Sequence, residues 1–465
     1  MMGLVAIIES SGSMDEPYKP GYSASYSEQF LRQWFKLCAV IGNKQKMSES
    51  KQRQFYTPSR ARFATFFAVA GPGLVVMLAD TDAGSVITAA QSGAQWGYKL
   101  LALQLLLIPI LYLVQELALR LGLLTGRGHG ELIKQHFGQG WAWLSVSTLL
   151  VSCLGALITE MSGIAGVGAL YGIPIWASVL VTLGFLLTVV ISGSYRSVER
   201  VAVAIGLFEL AFVYVAVVSR PDPAAVLHGL ASMPLADHGY LYLVAANIGA
   251  VIMPWMIFYQ QSAVVDKGLK PHHLPAARWD TAIGAVVAQA IMAAILIAVA
   301  ATFGRSGGAS RLDTVQQISH ALTPYLGVEN GRLMFALGML GASLVAAIVV
   351  SLTAAWGLGE VTGYKHSLEH HPREAPWFYL VFVTVLVASG LLVSSGVNLV
   401  DLSVGVEVMN ALLLPVVLGF LYALARRALP SGSQLRGAYA VIVALTIVLT
   451  AVLGVWGGLT GLLAH

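Results

Sequence analysis

The chain has 465 residues, 57% of them hydrophobic and only 11% charged, with a net charge of +4 and a mean hydropathy of +0.75. A soluble domain carries roughly 25% charged residues, so a water-soluble globular protein and a disordered chain are both excluded. Collagen-like and disulfide-scaffold classes fall too, with 48 aperiodic Gly and 2 Cys (Cys38 and Cys153), and a polytopic membrane protein remains.

Residues 1–62 form a polar, basic tail. The apolar stretch Leu4–Ile8 is too short for a signal-peptide core and runs into Glu9. The segment 47–62 reads as a cytosolic lead-in to the first helix, with Met47 a candidate start and 1–46 an upstream extension.

From residue 63 apolar runs alternate with short polar breaks. Eleven are expected: about 65–90, 100–124, 141–170, 173–193, 198–218, 240–265, 281–304, 331–359, 377–396, 398–425 and 437–462. Most reach the roughly 20 residues that cross about 30 Å of hydrocarbon as a helix. Backbone groups must be satisfied internally there, and no evenly spaced alternating strands suggest a barrel.

The distribution of Lys and Arg sets the direction. With a cytosolic N-terminus and eleven alternating helices, 22 of the 27 fall on the cytosolic side. Only Lys99, Arg220, Arg305, Arg311 and Arg332 fall outside. The expected topology is an integral protein of the plasma (inner) membrane, with the N-terminus cytosolic and the C-terminus outside.

Run 1 carries Asp80-Thr81-Asp82-Ala83-Gly84-Ser85 at its middle. Gly costs about 1 kcal/mol inside a helix, while Asp, Thr and Ser compete for the backbone. Two carboxylates at that depth cost several kcal/mol more. An unwound segment presenting a carboxylate and bare carbonyls to a cation is expected, against a kinked helix with both acids in a wet vestibule. Run 6 carries Pro254, which removes a backbone donor and frees carbonyls near Ala250 to Met253. Runs 1 and 6 hold corresponding places in two five-helix halves. Matched interruptions indicate an inverted-repeat transporter with its site between the breaks. The expected layout is a tail (1–62), a first repeat (63–218), a second repeat (219–425) and an eleventh helix (426–465).

These residues resemble a known family. GPGLVVM, DAGS and AAQSGAQWGYKLL (71–101) are similar to the first-helix signature of the Nramp divalent-metal transporters. Gly-Ala-Val-Ile-Met-Pro (249–254) resembles the family's sixth helix, and RLGLLTGRGHGEL (120–132) the loop after helix 2. The resemblance covers about 63–425 and is loose in helices 7–9. It implies an all-α fold of eleven transmembrane helices, a LeuT-like 5+5 inverted repeat with broken helices 1 and 6. It further implies Asp82, the Ala250 carbonyl and Met253 as metal ligands, with Ser85 in the place of an asparagine ligand and Asn410 in that of a glutamine. Glu160 resembles an acid of the family's proton route. The family's proline is here Ala83 and the histidine after Met-Pro is Trp255, while Asp80 is an extra acid. These departures resemble the Nramp-related magnesium transporter branch.

The side chains bear on the same question. None of the 11 His falls inside an expected span, which removes the usual imidazole ligand. Asp80, Thr81, Asp82, Ser85, Glu160, Asn247, Glu407 and Asn410 form an oxygen-rich inventory suited to hard dications such as Mg²⁺ and Mn²⁺. Met253 is soft and pulls toward Mn²⁺ or Fe²⁺. Glu407 and Asn410, at i and i+3, either complete the site or form a hydrogen-bonded pair. If protons are coupled, Asp80 beside Asp82 is the acid placed to carry one, with Glu160 and Glu407 as further proton or supporting groups.

The expected activity is secondary or uniport-type import of Mg²⁺ and/or Mn²⁺ by alternating access. The alternative is a proton-coupled Mn²⁺/Fe²⁺ importer of the ordinary Nramp type. An intramembrane aspartyl enzyme is remote, because Asp80 and Asp82 are too close in sequence to clamp a peptide from both sides. Neither a cofactor, a nucleic acid nor a nucleotide is expected, no phosphate-binding Gly-rich motif being present. The partners are the bilayer and the transported cation.

Overall fold

A computed structural model of the chain describes residues 71–191, 194–306, 311–322, 326–395 and 399–464. The tail expectations (1–62, Met47 and Cys38) lie outside the described residues. Within them every regular element is helical. In chain order these are α1 (Pro72–Asp80), α2 (Ala83–Trp96), α3 (Leu101–Thr125), α4 (His129–Phe137), α5 (Gln139–Leu170), α6 (Ile175–Ile191), α7 (Tyr195–Gly206), α8 (Leu210–Val218) and α9 (Pro223–Ala231). They continue as α10 (His238–Val251), α11 (Pro254–Asp266), α12 (Leu274–Ser306), α13 (Val315–Leu322), α14 (Val328–Thr362), α15 (Pro376–Val393), α16 (Leu399–Arg427) and α17 (Gly437–Ala464). Short 3-10 turns precede α3, α8 and α12.

Nine helical stretches among the described residues are long and apolar enough to cross a membrane. Eleven runs were expected, and the difference has two sources. The stretch Ala83–Thr125 takes in parts of the first two runs, and α6 has only 17 residues.

Local chemistry accounts for the element ends. Gly97 adopts φ +57° where α2 turns toward α3, a region costly for residues with a Cβ. Asp237 caps α10 by accepting from the Tyr240 amide at 3.1 Å. Pro254 stands at the first position of α11, where a missing N–H costs least.

Burial ranks the helices by depth. The α10–α11 span is 94% buried over its most apolar window, whereas the α17 span is 28% buried. The broken span therefore lies at the centre of the bundle. Helix α17 turns Leu445, Val448, Leu449, Val452 and Leu459 outward, an apolar face that bilayer lipid can cover.

Candidate metal site

The first break comes where expected. Helix α1 ends at Asp80, Thr81 takes φ −82° and ψ 41°, and Asp82 is extended at φ −65° and ψ 174°. Asp82 caps α2, its Oδ1 accepting from the Ser85 amide at 2.7 Å. A carboxylate at a helix N-terminus is favoured by the free amides and by the dipole. Its Oδ2 is buried with no other hydrogen-bond donor than the neighbouring Glu160 carboxyl.

The second break has one covalent cause. An α-helix pairs the N–H of residue i with the carbonyl of i−4, and at 254 that donor is missing because the residue is proline. The carbonyl left without its helical donor is that of Ala250. It accepts instead from the Ser85 hydroxyl at 3.0 Å. Ile252 leaves the helix at φ −126° and ψ 81°, and Met253 is extended before α11. The two interruptions thus meet through Ser85 and Ala250, beside Oδ2 of Asp82.

Met253 is fully buried, and its sulfur accepts from the Trp255 indole N–H at 3.2 Å. The residue that replaces the family's histidine therefore engages the neighbouring thioether.

Buried acids surround the breaks. Asp80, Asp82, Glu160, Glu209 and Glu407 are each at most 1% exposed. Among the described residues no Lys or Arg pairs with any of them. Glu160 accepts from the Ala83 amide at 3.2 Å and from Thr159 at 3.2 Å. Glu407 accepts from the Asn410 amide at 3.1 Å, and Asn410 Oδ1 accepts from Ser152 at 2.7 Å. The i, i+3 pair is thus hydrogen-bonded, while Glu407 Oε1 stays unpartnered and faces Gly84. Asn247 donates to Ser92 and accepts from Gln104, joining α10, α2 and α3. No group of three or more His, Cys, Asp or Glu among the described residues is poised to hold a metal on its own. An ion here would draw on carboxylate, carbonyl, hydroxyl and water oxygens together.

Several residues carry more than their sequence context indicated. Glu209 hydrogen-bonds Thr81, and Gln289 on α12 lies beside Asp80. Glu209 had a signal, being a lone acid in an apolar run; Gln289 had none. Glu116 binds Arg120, its i+4 neighbour, and Arg278 besides. His129, which stands outside the spans, is fully buried rather than solvated, with Nδ1 3.0 Å from Gln261 and its ring against Phe258. At one end of the bundle Asp280 accepts from the amides of Gly71 (3.1 Å) and Gly73 (2.8 Å), holding the start of α1.

The sequence profile described as Nramp, natural resistance-associated macrophage protein-like, matches residues 73–460. A divalent metal cation transporter MntH of Bradyrhizobium diazoefficiens is 29% identical over 302 residues, covering 61% of this chain and 66% of that protein. One of Chromohalobacter salexigens is 29% identical over 312 residues, covering 64% of this chain and 70% of that protein. The chain thus spans just under two thirds of the Bradyrhizobium relative. Among solved structures, the Eremococcus coleocola manganese transporter in complex with an aromatic bis-isothiourea substituted compound aligns with a TM-score of 0.69 at 20% identity, over 88% of this chain and 89% of that one. MhsT in complex with L-phenylalanine aligns at 0.53 and 16% identity, over 88% and 100%. At these identities the likeness is one of fold, that of the LeuT-fold transporters.

Proposed function

Because this chain belongs to the Nramp family, an integral-membrane transporter family and not an enzyme family, we propose that it carries a divalent metal cation into the cytosol by alternating access, with Mn²⁺ as the first substrate. The observation that carries this reading is the 3.0 Å bond from Ser85 to the proline-freed Ala250 carbonyl, beside Oδ2 of Asp82, which has no donor other than the Glu160 carboxyl. Asp82 supplies the charge, Ala250 and Ser85 supply neutral oxygens, and Met253 supplies a thioether. Asp80 and Asn410 stand at the margins of the set. Glu160, Glu407 and Asp80 are the acids placed to take a proton or to support the ligands.

The likeness to the Eremococcus coleocola manganese transporter supports Mn²⁺ over the magnesium branch. One feature of this chain keeps Mg²⁺ as a second reading. The Trp255 N–H occupies a lone pair of the Met253 sulfur, which makes the site harder and better matched to an oxygen-seeking, water-retaining ion.

The topology that fits is eleven spans, counting α1–α2 and α10–α11 as one broken span each and α6 as a short one. Residues 63–218 and 219–425 would be inverted repeats, with the N-terminus cytosolic and the C-terminus outside. Proteoliposomes carrying a metal-sensitive dye and an internal pH reporter test the proposal. Mn²⁺ entry that Asp82→Asn reduces at least tenfold is expected. Entry indifferent to Asp82→Asn, or none with the native chain, would overturn it.

A further inference from the structure

Glu209 and Gln289 have no part in the site at Asp82, and both approach Asp80, which stands at the margin of that site. Asp80, Glu209 and Gln289 come from three elements: the last residue of α1, the 3-10 turn before α8, and the middle of α12. All three are at most 1% exposed. Gln289 lies beside Asp80. Glu209 reaches the same place because its Oε2 is hydrogen-bonded by Thr81, the residue next to Asp80.

Apart from the approach of the Gln289 amide to Asp80, the carboxylate oxygens of Asp80 and Oε1 of Glu209 are nevertheless buried without a hydrogen-bond partner. Leaving one such group unpaired is costly, and leaving two carboxylates so is worse. A proton on one acid would neutralise a charge while leaving most of these acceptors bare. A cation satisfies the oxygens together. Its position is also favoured by the backbone, since Asp80 closes α1 and the C-terminal pole of a helix attracts positive charge.

We propose that Asp80, Glu209 and Gln289 form a second divalent-cation station, adjacent to but separate from the one at Asp82. The inference rests on the transport reading above. The donor set is two carboxylates and an amide oxygen, with no sulfur or imidazole, so it suits a hard dication that keeps several waters. Asp80 and Asp82 are two residues apart, at most about 7 Å between their Cα atoms. An ion in one station therefore repels an ion in the other and loosens it, as in multi-site conduction. Asp80 lies on the α1 side of the break, so the second station is a step on the way toward the end of the bundle where α1 begins.

Mn²⁺ alone is the probe. The full-length protein in nanodiscs of zwitterionic lipid is titrated, and free Mn²⁺ is counted by its electron paramagnetic resonance signal. Two bound ions per chain are expected for the native protein, and one each for Asp80→Asn and for Asp82→Asn. Glu209→Gln should lose the same ion as Asp80→Asn, and it carries the comparison if the latter does not fold. A native count of one, abolished by Asp82→Asn, overturns the second station and leaves the transport reading standing. So does a count of two that survives both Asp80→Asn and Glu209→Gln. A native count of zero overturns the transport reading and the station with it.

Discussion

The indole N–H of Trp255 donates to the sulfur of Met253 at 3.2 Å, with both side chains fully buried. The hydrogen bond spans only two residues but crosses the turn that Pro254 imposes. In the proposed site it engages the one soft donor among oxygen ligands.

Trp255→Phe keeps the ring and removes the donor. A hydrogen bond of this kind contributes about 1 kcal/mol, so the freed sulfur should improve Cd²⁺ over Mg²⁺ by roughly fivefold. Competition of the two ions for Mn²⁺ uptake reads the ratio. An unchanged ratio with transport intact would mean that the sulfur takes no part in selection.

Ser85→Ala leaves the Ala250 carbonyl without its donor. The apo protein should lose about 1 kcal/mol, seen as a lower melting temperature. Bound Mn²⁺ should restore more stability to the variant than to the native chain, because the ion then satisfies that carbonyl. Thermal shifts with and without Mn²⁺ check this, and equal shifts in the two proteins would separate Ala250 from the ion.

Asp280→Ala removes the acceptor of the Gly71 and Gly73 amides. Bonds to a charged acceptor contribute about 1.5–3 kcal/mol each, so α1 should leave its seat at least tenfold more often. A cysteine introduced at the buried Ala79 of α1 reports this. Its labelling by a water-soluble maleimide should speed up in the Asp280→Ala background. Unchanged labelling would show that other contacts hold the start of α1.

Burial lowers the pKa of His129 to about 4, with the Gln261 bond opposing the shift. The unfolded value is about 6.5. A depressed imidazole favours folding in its neutral form, so its contribution is complete above about pH 6.5 and is lost as pH falls toward 4. Acid melting curves should lose less stability across that window in His129→Gln than in the native chain. Parallel curves would show that His129 does not titrate on unfolding.

Much of the fold was legible because membrane depth imposes a strong rule on composition. Apolar runs of sufficient length mark the long helices, which fall on those runs, whereas the short α4, α9 and α13 lie between them. The counting was less secure at α6, which is short, and at Gly97, where a 3-10 turn joins α2 to α3 with no loop between them. Both breaks were legible as well. Asp82, Gly84 and Ser85 disfavour a continuous helix, and Pro254 lacks an N–H whatever surrounds it.

The partners of the site residues were not legible in the same way. Ser85 and Ala250 are 165 residues apart, and Thr81 and Glu209 are 128 apart. Missing donors and helix-breaking side chains act within a turn of the backbone, so the chain itself determined a helical membrane protein interrupted at Asp82 and at Met253. Which side chain fills a freed carbonyl, and which buried acid is left without a partner, depends on how α5, α8, α12 and α16 pack around the breaks. Hydrophobic periodicity does not encode that choice, and the tertiary structure decided it.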